Sequence, residues 1–254
     1  MKQASLGGLA AAVIAMAMPV SLHAAQANVA VAANFMAPMK RIAQDFERDT
    51  GHKLTLAFGA TGQFYAQIRH GAPFAVLLSA DDETPLKLEK EGLGVPGSRW
   101  TYAIGKLVLW SKKPGFVDAQ GEVLRQGGFE KIALANPKLS PYGAAALQVL
   151  DHMGLRERTA AKMVQGSNIT QTFQFVSSEN AQLGFIALSQ VFDNGKLKQG
   201  SAWLVPSAIH APLQQDALLL NPGKDNAAAV AFLKYLQGDQ AKAVIRAFGY
   251  ELQP

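Results

Sequence analysis

A chain of 254 residues, 49% hydrophobic and 17% charged, has room for one large domain or two lobes and is too apolar for disorder. It has no cysteine, which removes disulfides, thiolate nucleophiles, Cys-ligated zinc, iron–sulfur centres and an acylated-cysteine anchor. The formal charge is +5, or +4 without residues 1–24, and the densest basic clusters, Lys112-Lys113 and Lys196 with Lys198, are too short for a nucleic-acid arm.

Lys2 followed by the apolar run Leu6–Val20, then Pro19 and Leu22-His23-Ala24, predicts a secretory signal cleaved after Ala24 or Ala27. No later stretch holds the roughly 18 uninterrupted apolar residues of a membrane span, so a soluble exported protein is expected. A first strand is predicted over 28–33. A helix follows over 36–49, with Met36, Met39, Ile42, Ala43 and Phe46 at 3.6-residue spacing and Gly51 beyond its end. Then come a strand over 53–58, a helix over 62–70, a buried strand over 75–79 and a short helix over 84–91. This alternation means a mostly parallel sheet covered by helices.

Further on, strands are predicted over 103–111, 132–135, 183–188 and 203–205. Helices are predicted over 144–153, 156–163, 170–178, 227–237 and 240–248. Two βαβ units separated by a crossover strand fit two α/β lobes with a ligand cleft between them. Residues 28–106 and 205–254 would form lobe I, and 107–204 lobe II.

A small polar or glycine-rich turn stands just before an amphipathic helix at Ala33-Asn34, at Gly59-Ala60-Thr61-Gly62, at Ser140-Pro141-Tyr142-Gly143 and at Ser167-Asn168-Ile169-Thr170. Each leaves free backbone N–H groups at the positive end of a helix dipole. Helix starts of this kind are anion sites. The turns carry no charged residue, so together they predict a pocket that holds an oxyanion with neutral donors.

These residues also carry a resemblance. Val29 to Phe35, Phe58 to Gly62 with Tyr65-Ala66-Gln67-Ile68, Gly71-Ala72-Pro73 with Ser79-Ala80-Asp81, Asn136-Pro137 with Pro141-Tyr142-Gly143, and Asn168 to Thr172 with Leu183-Gly184-Phe185 follow the order and spacing of the periplasmic molybdate-binding proteins of ABC transporters. The chain resembles that family over nearly all of its length after the signal. The resemblance implies the two-lobe type II periplasmic binding protein fold. It implies capture of molybdate, and of tungstate by near-equal size, for a membrane permease. It places the ligand contacts at Asn34, Thr61, Tyr142 and Ile169, with the last acting through its main-chain N–H and Tyr142 through its hydroxyl or its main-chain N–H.

The chain departs from the family in places. Where one branch has a threonine before the asparagine, Ala33 stands here. Ala187 occupies the position of another branch's tyrosine. Ala75 stands where most members have aspartate after Gly-Ala-Pro-x. Molybdate at neutral pH only accepts hydrogen bonds, so the expected site offers the Asn34 amide, the Thr61 and Tyr142 hydroxyls and main-chain N–H groups, and no carboxylate. No cofactor and no direct protein–metal bond is expected, and the receptor should be a monomer that binds no nucleic acid. Receptors for sulfate or another tetrahedral oxyanion are the nearest alternatives. An enzyme on the same fold is disfavoured by the lack of an acid–base pair or metal motif: His52, His70, His152 and His210 show no paired spacing, and Asp81-Asp82-Glu83 reads as dipole-complementing charge at a helix start.

Overall fold

The computed structural model describes residues 24–253. The predicted signal, residues 1–23 of it at least, lies outside them. In chain order the elements begin with β1 (Gln26–Ala32), a 3-10 turn (Ala33–Phe35), α1 (Met36–Thr50), β2 (Lys53–Gly59), α2 (Thr61–Arg69), β3 (Val76–Leu78), α3 (Glu83–Lys90), β4 (Trp100–Gly105) and β5 (Leu107–Ser111). They continue with α4 (Val123–Gln126), β6 (Ile132–Ala135), α5 (Pro141–His152), α6 (Arg156–Ala160), β7 (Met163–Gly166), α7 (Ile169–Ser177) and β8 (Leu183–Ala187). The chain closes with α8 (Leu188–Val191), β9 (Phe192–Asp193), β10 (Lys196–Leu197), β11 (Ser201–Leu204), β12 (Leu213–Leu219), α9 (Ala227–Leu236) and α10 (Asp239–Ala247).

Among the described residues these strands form two sheets of matching design and a small β9–β10 hairpin. The first sheet runs β2-β1-β3-β12-β4, the second β7-β6-β8-β5-β11. In each, three strands pair in parallel and the fourth position is antiparallel to both neighbours. The buried strands read as continuous apolar runs, Val76-Leu77-Leu78 and Ile132-Ala133-Leu134-Ala135, as parallel strands covered on both faces do. On one face of the first sheet, α1 buries Met39, Ile42, Ala43 and Phe46 against Phe232 and Leu236 of α9 and Ile245 of α10. Phe64, Ile68 and Leu88, from α2 and α3, cover the opposite face. The second sheet packs Ala146, Val149 and Leu150 of α5 on one side and Val176 of α7 on the other.

Three expectations needed correction. The strand predicted over 103–111 is two strands, β4 and β5, which break at Lys106 and belong to different sheets. The helix predicted over 156–163 stops at Ala160. There Lys162 Nζ donates to the carbonyls of Phe129 (2.6 Å) and Gly127 (3.2 Å), and Met163 begins pairing with Ile132. Pairing with β6 overrides the alanine-rich local preference. The strand β12 was not anticipated at all, because Gln214-Gln215-Asp216 interrupts its apolar pattern. Asp216 is fully buried, accepts from Thr101 Oγ1 at 2.6 Å and pairs with Arg99. Gln215 is also fully buried and is bonded at both ends of its amide. Buried polar groups are tolerated when paired in this way.

Candidate functional site

The four polar turns come from both sheets. Two follow β1 and β2 of the first sheet, and two follow β6 and β7 of the second. These are carboxyl ends of parallel strands, where α/β sheets bind ligands.

Local capping decides which donors each turn leaves free. The N-cap of α2 is Ala60, which has no side-chain acceptor; only Gln63 Oε1 reaches back to the Ala60 N–H (3.2 Å). Ser140 precedes α5 in extended conformation and makes no side-chain cap, while Pro141 opens the helix. Asn168 does cap α7, but its Oδ1 accepts from the N–H groups of Thr170 (3.0 Å) and Gln171 (3.1 Å) and passes over Ile169. Among the described residues, the main-chain N–H groups of Asn34, Thr61, Tyr142 and Ile169 have no protein hydrogen-bond acceptor. Ala33, Asn34, Ala60, Thr61, Ser140, Pro141 and Ile169 wall a narrow, nearly closed cleft of about 10 Å³, together with Ala32, Gly59 and Ala80. No ionisable side chain lines it.

The side chains differ from the donor set expected of them. Both Nδ2 hydrogens of Asn34 are used inside the protein, by Gln215 Oε1 (2.9 Å) and Tyr250 Oη (3.0 Å). What Asn34 offers the cleft is therefore its main-chain N–H. Thr61 Oγ1 accepts from the Ala80 N–H at 3.0 Å, which ties the start of α2 to the strand beside it and leaves the hydroxyl hydrogen to donate. Tyr142 is 1% exposed and is not on the cleft wall; its Oη accepts from Gln215 Nε2 at 3.2 Å. Burial holds its hydroxyl well above the usual tyrosine range, so it stays protonated. Ile169 lies 3% exposed in the wall. Ala187 is buried in β8, and Ala75 lies beside β3, where its N–H donates to Asn28 O (2.8 Å) and its carbonyl accepts from the Leu220 N–H (2.9 Å).

Two contacts hold the sides of the cleft together. The Gly62 N–H donates to the Leu139 carbonyl at 2.9 Å, and Thr170 Oγ1 donates to the Ala33 carbonyl at 3.3 Å. The first is packed closely around the glycine: a Cβ at Gly62 would sit 3.1 Å from Leu139 Cα and 3.3 Å from its carbonyl oxygen, so Leu139 would have to move by a few tenths of an ångström.

A larger cavity of about 340 Å³ opens beside the cleft. Its wall carries Asp81, Asp82 and Glu83 with Lys138 as its one basic residue, which makes it a poor place for an anion. Asp81 Oδ1 accepts from the Thr84 N–H at 2.9 Å, so it caps the start of α3. Behind the cleft lies a buried polar group that sequence reasoning missed: Gln215, Tyr102, Tyr250 and Ser189. Ser189 Oγ and Tyr250 Oη both donate to the Asn34 carbonyl at 2.8 Å. Only the polar triplet inside β12 hinted at it.

The model for bacterial extracellular solute-binding proteins matches residues 27–251. The chain belongs to that family. Within it, the chain is 57% identical over 249 residues to the molybdate-binding protein ModA of Azotobacter vinelandii, covering 98% of this chain and 99% of that one. It is 48% identical over 242 residues to ModA of Rhodobacter capsulatus, covering 94% of each. Among solved structures, a periplasmic molybdate-binding protein of Azotobacter vinelandii superposes with a TM-score of 0.87 at 41% identity, over 90% of this chain and all of that one. The two-sheet α/β architecture expected from the resemblance is the fold of this family.

Proposed function

We propose that the chain is the exported solute-binding component that captures molybdate and hands it to an ABC permease. The observation that carries this reading is a cleft walled by four turns that each leave a main-chain N–H free, with no ionisable side chain. The near-full-length likeness to two molybdate-binding proteins supports it. The ligand is held by the main-chain N–H groups of Asn34, Thr61, Tyr142 and Ile169, with the Thr61 hydroxyl as a further donor. Hydrogen bonds to a charged acceptor contribute about 1.5–3 kcal/mol each, and about six of them offset dehydration of the anion and ordering of the lobes.

Residues 28–106 and 205–254 form one lobe and 107–204 the other, and the anion closes them. Closure gives the permease a joint surface to read. Tungstate, of the same shape and near-equal size, is taken as well. Protonated phosphate is disfavoured because its O–H would find no acceptor in a donor-only site. Sulfate has shorter bonds to oxygen, so its contacts would be stretched. The cleft wall holds no nucleophile paired with a base, so the protein binds and does not turn over its ligand. It works as a periplasmic monomer. Cleavage after Ala24 keeps β1 whole, whereas cleavage after Ala27 would remove Gln26 and Ala27, which pair with Lys53 and Leu54.

Calorimetric titration of the mature, ligand-stripped protein tests the reading. Tight one-to-one binding of molybdate and tungstate is expected, with sulfate and phosphate silent. Silence with molybdate and a response to sulfate would move the assignment to another oxyanion. The mass of the exported protein reads the cleavage site.

A further inference from the structure

One buried amide bridges the two sides of the cleft. We infer that Gln215 is a positioning residue for anion capture, holding Asn34 of one lobe and Tyr142 of the other in the register of the closed cleft. This rests on the capture reading above and goes beyond the residues that line the cleft.

Gln215 is 0% exposed in β12. Its Oε1 accepts from Asn34 Nδ2 at 2.9 Å and Tyr102 Oη at 3.0 Å, and its Nε2 donates to Tyr142 Oη at 3.2 Å. A local irregularity supplies the arrangement. The β4–β12 register shifts by one residue between Gln215 and Asp216, which leaves Tyr102 as the extra residue of a bulge. Bulges re-aim side chains, and this one sets the Tyr102 hydroxyl beside the Gln215 carbonyl. The second independent feature is Gly105, the last residue of β4. A Cβ there would collide with both Tyr142 Oη and Gln215 Nε2, so the bond between the lobes crosses space that only glycine leaves open.

The consequence is a coupling. Asn34 sits in the turn that walls the cleft, and Tyr142 sits in the first turn of α5, one residue after the wall residue Pro141. The Gln215–Tyr142 bond exists only while the start of α5 lies against the first sheet. It therefore favours the closed arrangement in which all four turns converge. A fully buried amide with an unpaired end is unfavourable, so opening the lobes is opposed until water reaches it.

The test is a double-mutant cycle of Gln215→Met and Tyr142→Phe, read as molybdate affinity by calorimetry and as dissociation rate by stopped flow, beside the thermal melt of the ligand-free proteins. Each single variant should bind about 5- to 50-fold more weakly through faster dissociation, and the double variant no more weakly than the worse single one. Gly105→Ala, which keeps every side chain of the group but forces Tyr142 Oη and Gln215 Nε2 to shift, should weaken binding in the same way and carries the test if Gln215→Met does not fold. A purely structural role would lower melting temperatures and leave the dissociation rate alone, which overturns the inference. So does affinity within twofold of the unmodified protein, or losses that simply multiply. If the unmodified protein binds no molybdate, tungstate or sulfate, the capture reading falls and takes this inference with it; if it binds and the variants match it, only this inference falls.

Discussion

The cradle around the cleft and the polar group behind it solve one problem by different chemistry. The cradle is main chain: N–H groups left over where Ala60 and Ser140 fail to cap and where Asn168 caps past Ile169. The group behind it is side chain, Asn34, Gln215, Tyr102, Tyr142, Tyr250 and Ser189, bonded to one another and shielded from water. Main-chain donors at a helix start are aimed by the helix and need no side-chain ordering to meet a ligand. Side chains reach across between sheets, which N–H groups fixed in a turn cannot do. The comparison teaches that backbone donors face the cleft while buried side chains set where that backbone stands.

The sharpest way to break this division is to delete a main-chain donor. Ile169 is the first residue of α7, a position that accepts proline, and Asn168 before it is extended, as a residue preceding proline should be. Ile169→Pro should cost about 10- to 100-fold in molybdate affinity, the worth of one charge-assisted hydrogen bond, and calorimetry measures it. Affinity unchanged by that substitution would remove the fourth turn from the cradle. A smaller loss, about tenfold, is expected of Gly62→Ala, whose Cβ presses on Leu139 across the cleft. Because that contact joins the two sides and not the core of either, the melt of the ligand-free protein should barely move. A large drop in melting temperature with affinity intact would show that Gly62 serves folding instead.

The four turns were legible in the sequence and the polar group behind them was not. Turns before amphipathic helices announce themselves through local residue choice, so Thr61, Ser140-Pro141 and Ile169 fell where expected. The first strand, α1 and β6 were equally legible, since period and burial agree in them. The failures were places where partners distant in sequence decide. Lys106 looks like the middle of one apolar strand, and only sheet membership shows the break. Gln215 looks like a residue that ends a strand, yet Asn34 and Tyr142, 181 and 73 positions away, make it the centre of one. The partners of Asn34 were hidden for the same reason: its amide was expected to face the ligand, and in the structure it donates to Gln215 and Tyr250.

Thr61 lets the two regions be compared within one residue. Its N–H belongs to the cradle and its Oγ1 holds the Ala80 N–H. Thr61→Val removes the hydroxyl and keeps shape, so a buried N–H loses its acceptor at a cost of about 1–3 kcal/mol in stability. Affinity should fall only a few fold, because the N–H remains, and Thr61→Ser should restore the melting temperature. A loss of affinity as large as that of Ile169→Pro would mean that the hydroxyl, not the backbone, is the main donor.

The smallest effect expected is that of pH, and its sign follows from one carboxyl. The cleft wall has nothing to titrate, and burial keeps Tyr102, Tyr142 and Tyr250 protonated beyond the usual tyrosine range. Asp81, next to the wall residue Ala80, is the nearest acid in sequence. Burial pushes its carboxyl above the ordinary 3.8, against the pull of its bonds from Thr84 and Ser79, and Glu83 adds a little to the push. The folded protein thus binds this proton more readily than the unfolded chain. The stability so gained is complete below about 3.8 and is lost as pH rises through the raised native value. Asp81 lines the neighbouring cavity and not the cleft, so a bound dianion acts on it only from a distance and binding takes up at most a small fraction of a proton. Affinity should be level through neutrality and above, and improve by less than about threefold as pH falls through the raised Asp81 value. Asp81→Asn, which keeps an acceptor for the Thr84 N–H, should abolish that slope. A steep loss of affinity above neutrality would mean instead that an ionising donor, Tyr142 foremost, touches the anion directly.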